Sequence, residues 1–208
     1  MRSIWTSDLV SFPGLASKFG VIMATLLLTG CASSGVETTN YMLPADAGSA
    51  DATLPATHDT TLLIARPLVA KHLDQEGIVL QLDDITLNAA TTNLWAAPLP
   101  QQLERGMRER LAHRLPSTQV LLSQGNSRRD AVTLELSVDS FQGRYDGAAV
   151  ASGQWILRGG DGKVQSYAPF NAEVTLNQDG YPALVRALGR SWDEVADEIT
   201  AGFHSSSR

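Results

Sequence analysis

The apolar positions of this chain fall into three regimes. A continuous apolar run covers residues 19–28, a stretch with almost no apolar periodicity follows, and patterned segments begin near residue 61. In the patterned region, residues 61–65 and 78–82 read as strands of a partly buried sheet, and residues 84–87 as a further short strand before a polar stretch that ends at Asn93. The next segment changes period. Leu99, Leu103, Met107, Leu111 and Leu115 recur every four residues while Arg105, Arg108, Glu109 and Arg114 take other faces, which predicts an amphipathic helix. Pro98 and Pro100 fit its first turn and Pro116 ends it.

Period two then returns. Residues 120–122 read as a strand, and Val132, Leu134, Leu136 and Val138 alternate with Thr133, Glu135, Ser137 and Asp139, so one face is dry and the other wet. Glycine-rich breaks at 143–147 and 159–162 separate this strand from two more, at 149–157 and 164–176, which predicts an antiparallel meander. A last helix places Tyr181, Leu184, Val185, Leu188, Trp192, Val195 and Ile199 on one stripe, with Asp193, Glu194, Asp197 and Glu198 pointing away. The order of elements predicts an α+β domain over 61–204, an antiparallel sheet with two amphipathic helices packed on it.

The apolar run at the start is too short to cross a bilayer core of ~30 Å, which takes roughly 20 residues as a helix. With Arg2 and Lys18 ahead of it and Leu28-Thr29-Gly30-Cys31 closing it, residues 1–30 read as a lipoprotein signal peptide. Small Thr29 and Gly30 suit a peptidase site, and the Cys31 thiol is the atom to which a diacylglyceryl group attaches. Cys31 is the only cysteine, so the chain can form no internal disulfide. Two or three acyl chains, at ~0.8 kcal/mol per buried methylene, anchor a protein firmly. Ala32 and Ser33 follow the cysteine where an aspartate would favour inner-membrane retention, so the expected location is the periplasmic face of the outer membrane. Residues 31–60 are rich in Ala, Ser, Gly, Thr, Asp and Pro and read as the lipidated cysteine and a tether, with a short edge strand at 41–43 as the alternative for its one apolar triplet.

Charge narrows the partners. Without the leader, which holds Arg2, Lys18 and Asp8, 14 basic residues face 21 acidic ones, and no basic stripe offers a surface to nucleic acid. Asp83 and Asp84 are adjacent, so in a strand they point to opposite faces and cannot cooperate as acid and base. His58, His72, His113 and His204 lack metal-site spacing, no serine occupies a G-x-S-x-G turn, and the Gly159-Gly160-Asp161-Gly162 run lies between strands as a hairpin turn. The expectation is therefore no catalytic residue, no metal and no cofactor. Two features suit a protein partner. Trp95 stands at the mouth of the first helix, where its ring either seals a core edge or projects into a partner's groove. The Arg144-Tyr145-Asp146 turn either presents a cation, a ring and an anion to a partner or is a hairpin with solvated charges.

Several strings together resemble the ABC-type transport auxiliary lipoprotein family. They are Asn93-Leu94-Trp95-Ala96-Ala97-Pro98-Leu99 leading to Gln101-Gln102-Leu103, Phe141-Gln142-Gly143-Arg144-Tyr145-Asp146-Gly147, Ser152-Gly153-Gln154-Trp155 and Gln178-Asp179-Gly180-Tyr181. An early Asn40-Tyr41-Met42-Leu43 stands where the family carries Tyr-Tyr-x-Leu. The resemblance implies an outer-membrane lipoprotein, without catalysis, that works with a periplasmic MCE-domain protein and its inner-membrane partner in lipid transport or envelope integrity. By analogy, such a subunit is expected to form a homo-oligomeric ring. The alternative is an independent lipid-binding carrier, which requires a roomy apolar pocket.

Overall fold

The computed structural model describes residues 37–46, 60–126 and 130–206. The expected signal peptide at 1–30, Cys31, His58 and most of the expected tether lie outside the described residues.

Nine strands and two α-helices, with a short 3₁₀ helix at Lys71–Leu73, make the described domain: β1 (Thr39–Tyr41), β2 (Thr60–Ile64), β3 (Leu68–Val69), β4 (Gly77–Gln81), β5 (Leu87–Trp95), α1 (Leu99–Arg114), β6 (Thr118–Leu122), β7 (Val132–Gly143), β8 (Ala148–Arg158), β9 (Val164–Thr175) and α2 (Tyr181–Ser206). The architecture is α+β, with both helices against one face of a single sheet. The meander β7-β8-β9 is antiparallel, as its glycine-rich turns require. The sheet as a whole is mixed rather than antiparallel. β2 lies parallel to both β6 and β7, β3 and β4 also pair with β7 in parallel, and β1 runs parallel to β5. The reason is the length of β7: its twelve residues take β2, β3 and β4 end to end along one side, all three running in the direction of β7.

The covered face follows from the register. Leu134, Leu136, Val138 and Phe141 of β7 stand opposite Leu157, Trp155, Gly153 and Ala151 of β8, and these in turn meet Ala168, Phe170 and Ala172 of β9. The small residues on β8 leave room for large ones on α2. Trp192 fills that room, edge-on to Phe141 at 5.7 Å and to Phe170 at 6.1 Å. Farther along α2, Gly202 lets the helix lie directly on the ring of Trp155. α1 packs beside α2, and Trp192 Nε1 donates across the contact to the Leu103 carbonyl at 3.3 Å.

The expected strand at 84–87 is a turn, and the polar stretch after it is the strand β5. Asp83 explains the turn, because its carboxylate accepts hydrogen bonds from the Ile85 N–H (2.9 Å) and the Thr86 N–H (2.7 Å). The Asn, Ala and Thr residues of β5 tolerate extended pairing near a sheet edge, where one strand face meets solvent. The early edge strand falls on Thr39–Tyr41, two residues ahead of the apolar triplet.

Candidate functional site

Residues 41–46, which the sequence assigns to a tether, form a strap across the two helices. Tyr41 donates its hydroxyl proton to Asn93 Oδ1 at 3.1 Å, and the Leu43 N–H donates to Gln102 Oε1 at 2.7 Å. Gln102 completes the clasp by donating Nε2 to the Ala97 carbonyl at 2.9 Å. Pro44 rests on Gly189 of α2, where a β-carbon would press into its ring. Beneath the strap, Arg110 is fully buried. Its Nε donates to Asp193 Oδ1 at 2.7 Å, and its Nη2 donates to the carbonyls of Pro44 (3.1 Å) and Gly189 (3.2 Å), so one guanidinium ties α1, α2 and the strap. One turn on, Arg114 bridges Asp46 at 2.7 Å and Asp197 at 2.6 Å, while His113 Nδ1 lies 3.2 Å from the same Asp46 carboxylate. Burial drives the Asp193 carboxyl above its ordinary range despite Arg110. Burial acts to lower the Arg114 value, yet its bonds to Asp197 and Asp46 leave it raised. Sequence reading missed this cluster. Its signal is the matched four-residue spacing of Arg110 and Arg114 on one helix and Asp193 and Asp197 on the other, which meet because α1 and α2 run parallel.

Trp95 does not project towards a partner. Its ring is only 5% exposed and packs 6.2 Å from Phe141, so of the two readings the structure takes the core one. The large ring at the end of β5 closes the sheet edge where the chain turns into α1.

The Arg144-Tyr145-Asp146 turn is exposed, and it joins β7 to β8. Arg144 holds both carboxylate oxygens of Asp146 at 2.9 Å from Nε and reaches Glu173 of β9 at 2.7 Å. Its bonds to Glu173 and Asp146 raise the guanidinium further, and Arg144 in turn holds both carboxyls below their ordinary range. Gly147 supplies the turn's positive φ of 83°. Tyr145 stays outside this bonding and is 61% exposed. The structure thus keeps Arg144, Tyr145 and Asp146 together, adds Glu173, and leaves Trp95 elsewhere.

Leu80 of β4 pairs with Gly143 of β7, so the β4–β5 turn stands at the same end of the sheet as the β7–β8 turn. Between them and the start of α2 lies an apolar depression of about 120 Å³ lined by Leu80, Gly143, Ala148, Leu176, Tyr181 and Leu184. That is well below the ~300 Å³ of an ordinary ligand pocket. Among the described residues no group of histidine and carboxylate side chains is placed to hold a metal ion, and no helix is long and apolar enough to cross a membrane.

Comparison with known proteins gives a consistent result. Residues 41–200 match the family model described as the ABC-type transport auxiliary lipoprotein component. The chain is similar to the intermembrane transport lipoprotein PqiC of Escherichia coli (strain K12) and to its counterpart in Shigella flexneri, each 34% identical over 183 residues, covering 88% of this chain and 95% of the relative. Among solved structures, the crystal structure of an uncharacterised protein matches with a TM-score of 0.69 and 32% identity, covering 80% of this chain and 99% of the other. A Xanthomonas campestris protein shares the fold at a TM-score of 0.63 and 20% identity, covering 80% of this chain and 94% of the other.

Proposed function

This chain belongs to the ABC-type transport auxiliary lipoprotein family, and from that membership we propose that it is the outer-membrane lipoprotein subunit of an MCE-type intermembrane transport or envelope-integrity system. In this reading acyl chains on Cys31 hold it to the outer membrane, and the domain docks the periplasmic MCE component whose inner-membrane partner completes the bridge. The observation that carries the reading is the match to PqiC, named an intermembrane transport lipoprotein, across 95% of that protein's length. The filled interior, packed with Phe141, Phe170, Trp192 and their neighbours, supports a scaffold in place of a carrier that shields a lipid inside itself.

The test is to isolate the tagged, lipidated protein from gently solubilised envelopes and identify its companions by mass spectrometry. An MCE-domain protein among specific partners is the expected result. Bound lipid without such a protein would replace the bridge by an independent carrier. Homo-oligomerisation into a ring adds one anchor per subunit and gains avidity for a ring-shaped partner. Native mass measurement at micromolar concentration checks it, and a monomer both with and without detergent would rule it out.

A further inference from the structure

The described residues include eight exposed large hydrophobics, and four of them, Leu82, Ile85, Leu87 and Tyr145, stand at one end of the sheet. Of the others, Met42 and Leu68 lie singly on other elements, and Val164 and Tyr167 belong to the part of β9 nearer the opposite end. The four are presented by two neighbouring turns. Ile85, 87% exposed, sits at the tip of the β4–β5 turn, where Asp83 fixes the backbone. Tyr145, on the β7–β8 turn, is likewise left free by the Arg144–Asp146 pair beside it. An exposed aliphatic tip beside an exposed tyrosine suits a membrane–water interface, where apolar side chains sink and amphipathic rings sit at headgroup level.

The direction of β1 and the shorter distance left to the anchor both point to the bilayer as the occupant. Nine residues lead from Cys31 to Asn40, a reach of at most ~30 Å. Asn40 pairs with Leu94, which pairs with Gly77, so it lies four residues of β4 below the level of Leu87, about 13 Å away. The opposite end of β7, at Val132, is about 25 Å from the same level before its turns are counted. β1, followed backwards from Tyr41 to Thr39, also points at the apolar end. We propose that this end of the sheet faces the outer membrane and that Ile85, with Leu82, Leu87 and Tyr145 around it, inserts into the interface of the bilayer that holds the Cys31 acyl chains. The inference rests on the anchoring part of the function proposed above. It moves Tyr145 from a protein partner to the lipid surface and leaves the rest of the domain free for the MCE component. Asp83 and Asp84 directly precede Ile85, and with acidic rather than basic neighbours the contact does not depend on attraction to anionic lipid.

The test uses full-length lipidated protein in vesicles of phosphatidylethanolamine and phosphatidylcholine doped with lipid carrying a nitroxide near the headgroup. Cys31 is acylated in such protein, so Ile85→Cys, Tyr145→Cys and Tyr167→Cys each offer a single thiol for a fluorophore. The labels at 85 and 145 are expected to be quenched several-fold more than the label at 167, and equally so in low and high salt. Equal quenching at all three positions in protein that floats with the vesicles would overturn the inference and leave the anchor intact. Shielding of position 85 only after an MCE-domain protein is added would overturn it too, and make this end a protein-docking surface. Intact mass showing no acyl chain on Cys31, with the protein left in solution, would remove the anchor and the inference together.

Discussion

Two clusters in this domain pair arginine with carboxylates at the same distance and have opposite energetic meaning. Arg110 and Asp193 meet at 2.7 Å between α1 and α2, with side chains 0% and 16% exposed. Arg144 and Glu173 also meet at 2.7 Å, between the β7–β8 turn and β9, with side chains 26% and 40% exposed. Removing charges from water is costly, and a buried pair is held in place mainly because breaking it strands a charge. An exposed pair exchanges one hydrated state for another and gains little. Bond length does not separate the two; burial and the number of groups each charge must satisfy do.

The helix cluster therefore carries the larger effect. Arg110→Met leaves the Asp193 carboxylate without its partner and the Pro44 and Gly189 carbonyls without their donor. A loss of about 3–5 kcal/mol is expected, on the scale of a broken buried ion pair. For a domain of this size that lowers the thermal midpoint by on the order of 10 °C, which calorimetry resolves. Adding Asp193→Leu should recover only part of the loss, because the Pro44 and Gly189 carbonyls still lack the guanidinium donor. Full recovery would mean that the carbonyls contribute nothing and that the cluster is a simple ion pair.

The strap comes next. Asp46→Ala removes a carboxylate that Arg114 and His113 share, but Arg114 keeps Asp197. The expected cost is about 1–3 kcal/mol, the range for hydrogen bonds to charged groups. It should appear as faster amide exchange at the Leu43 N–H, which is bonded to Gln102, with little change at β7 and β8. Uniform acceleration across the sheet would show that the strap is part of the core's cooperative unit rather than laid over it.

These clusters differed in legibility too. The hydropathy periods located both helices and the meander because each buries one face, and period 3.6 or period 2 is then written in the residues themselves. β5 was not legible, since Asn88, Thr91, Thr92 and Asn93 sit near an edge where burial does not select apolar side chains. The parallel pairing of β2, β3 and β4 along β7 was invisible for another reason: it joins segments far apart in sequence, and no local pattern encodes a partner. The strap looked like linker because its contacts are made by single residues, Tyr41, Leu43, Pro44 and Asp46, each answered by a residue some fifty or more positions away. The recognisable strings proved to be this scaffold in part. Asn93 and Gln102 hold Tyr41 and Leu43, so two strings distant in the chain are one clasp in the fold. In the turn string, Arg144 and Asp146 were legible as a charged tip, while Glu173 was not, because its place beside them is set by the pairing of β8 with β9.

The smallest effect is also the sharpest separation of the two clusters, because acid acts on them with opposite sign. Asp146 and Glu173 have carboxyls held below their ordinary range by Arg144. A carboxyl depressed in the folded state contributes stability that is complete above its unfolded pKa of about 4 and is lost as pH falls through the lower folded value. Burial raises Asp193 instead, so ionised Asp193 costs stability at neutral pH and the cost is relieved as pH falls through its raised value. A carboxyl carbon NMR titration should then show Asp193 taking its proton above the ordinary aspartate value, and Asp146 and Glu173 below the ordinary values of their types, with the Ala148 amide bonded to Asp146 shifting together with that carboxylate. Arg144→Ala should bring Asp146 and Glu173 back towards ordinary carboxyl values and leave Asp193 where it was. If Asp193 moved as well, or if it titrated below an ordinary aspartate, the contrast between a desolvated cluster and a solvated one would not hold for this protein.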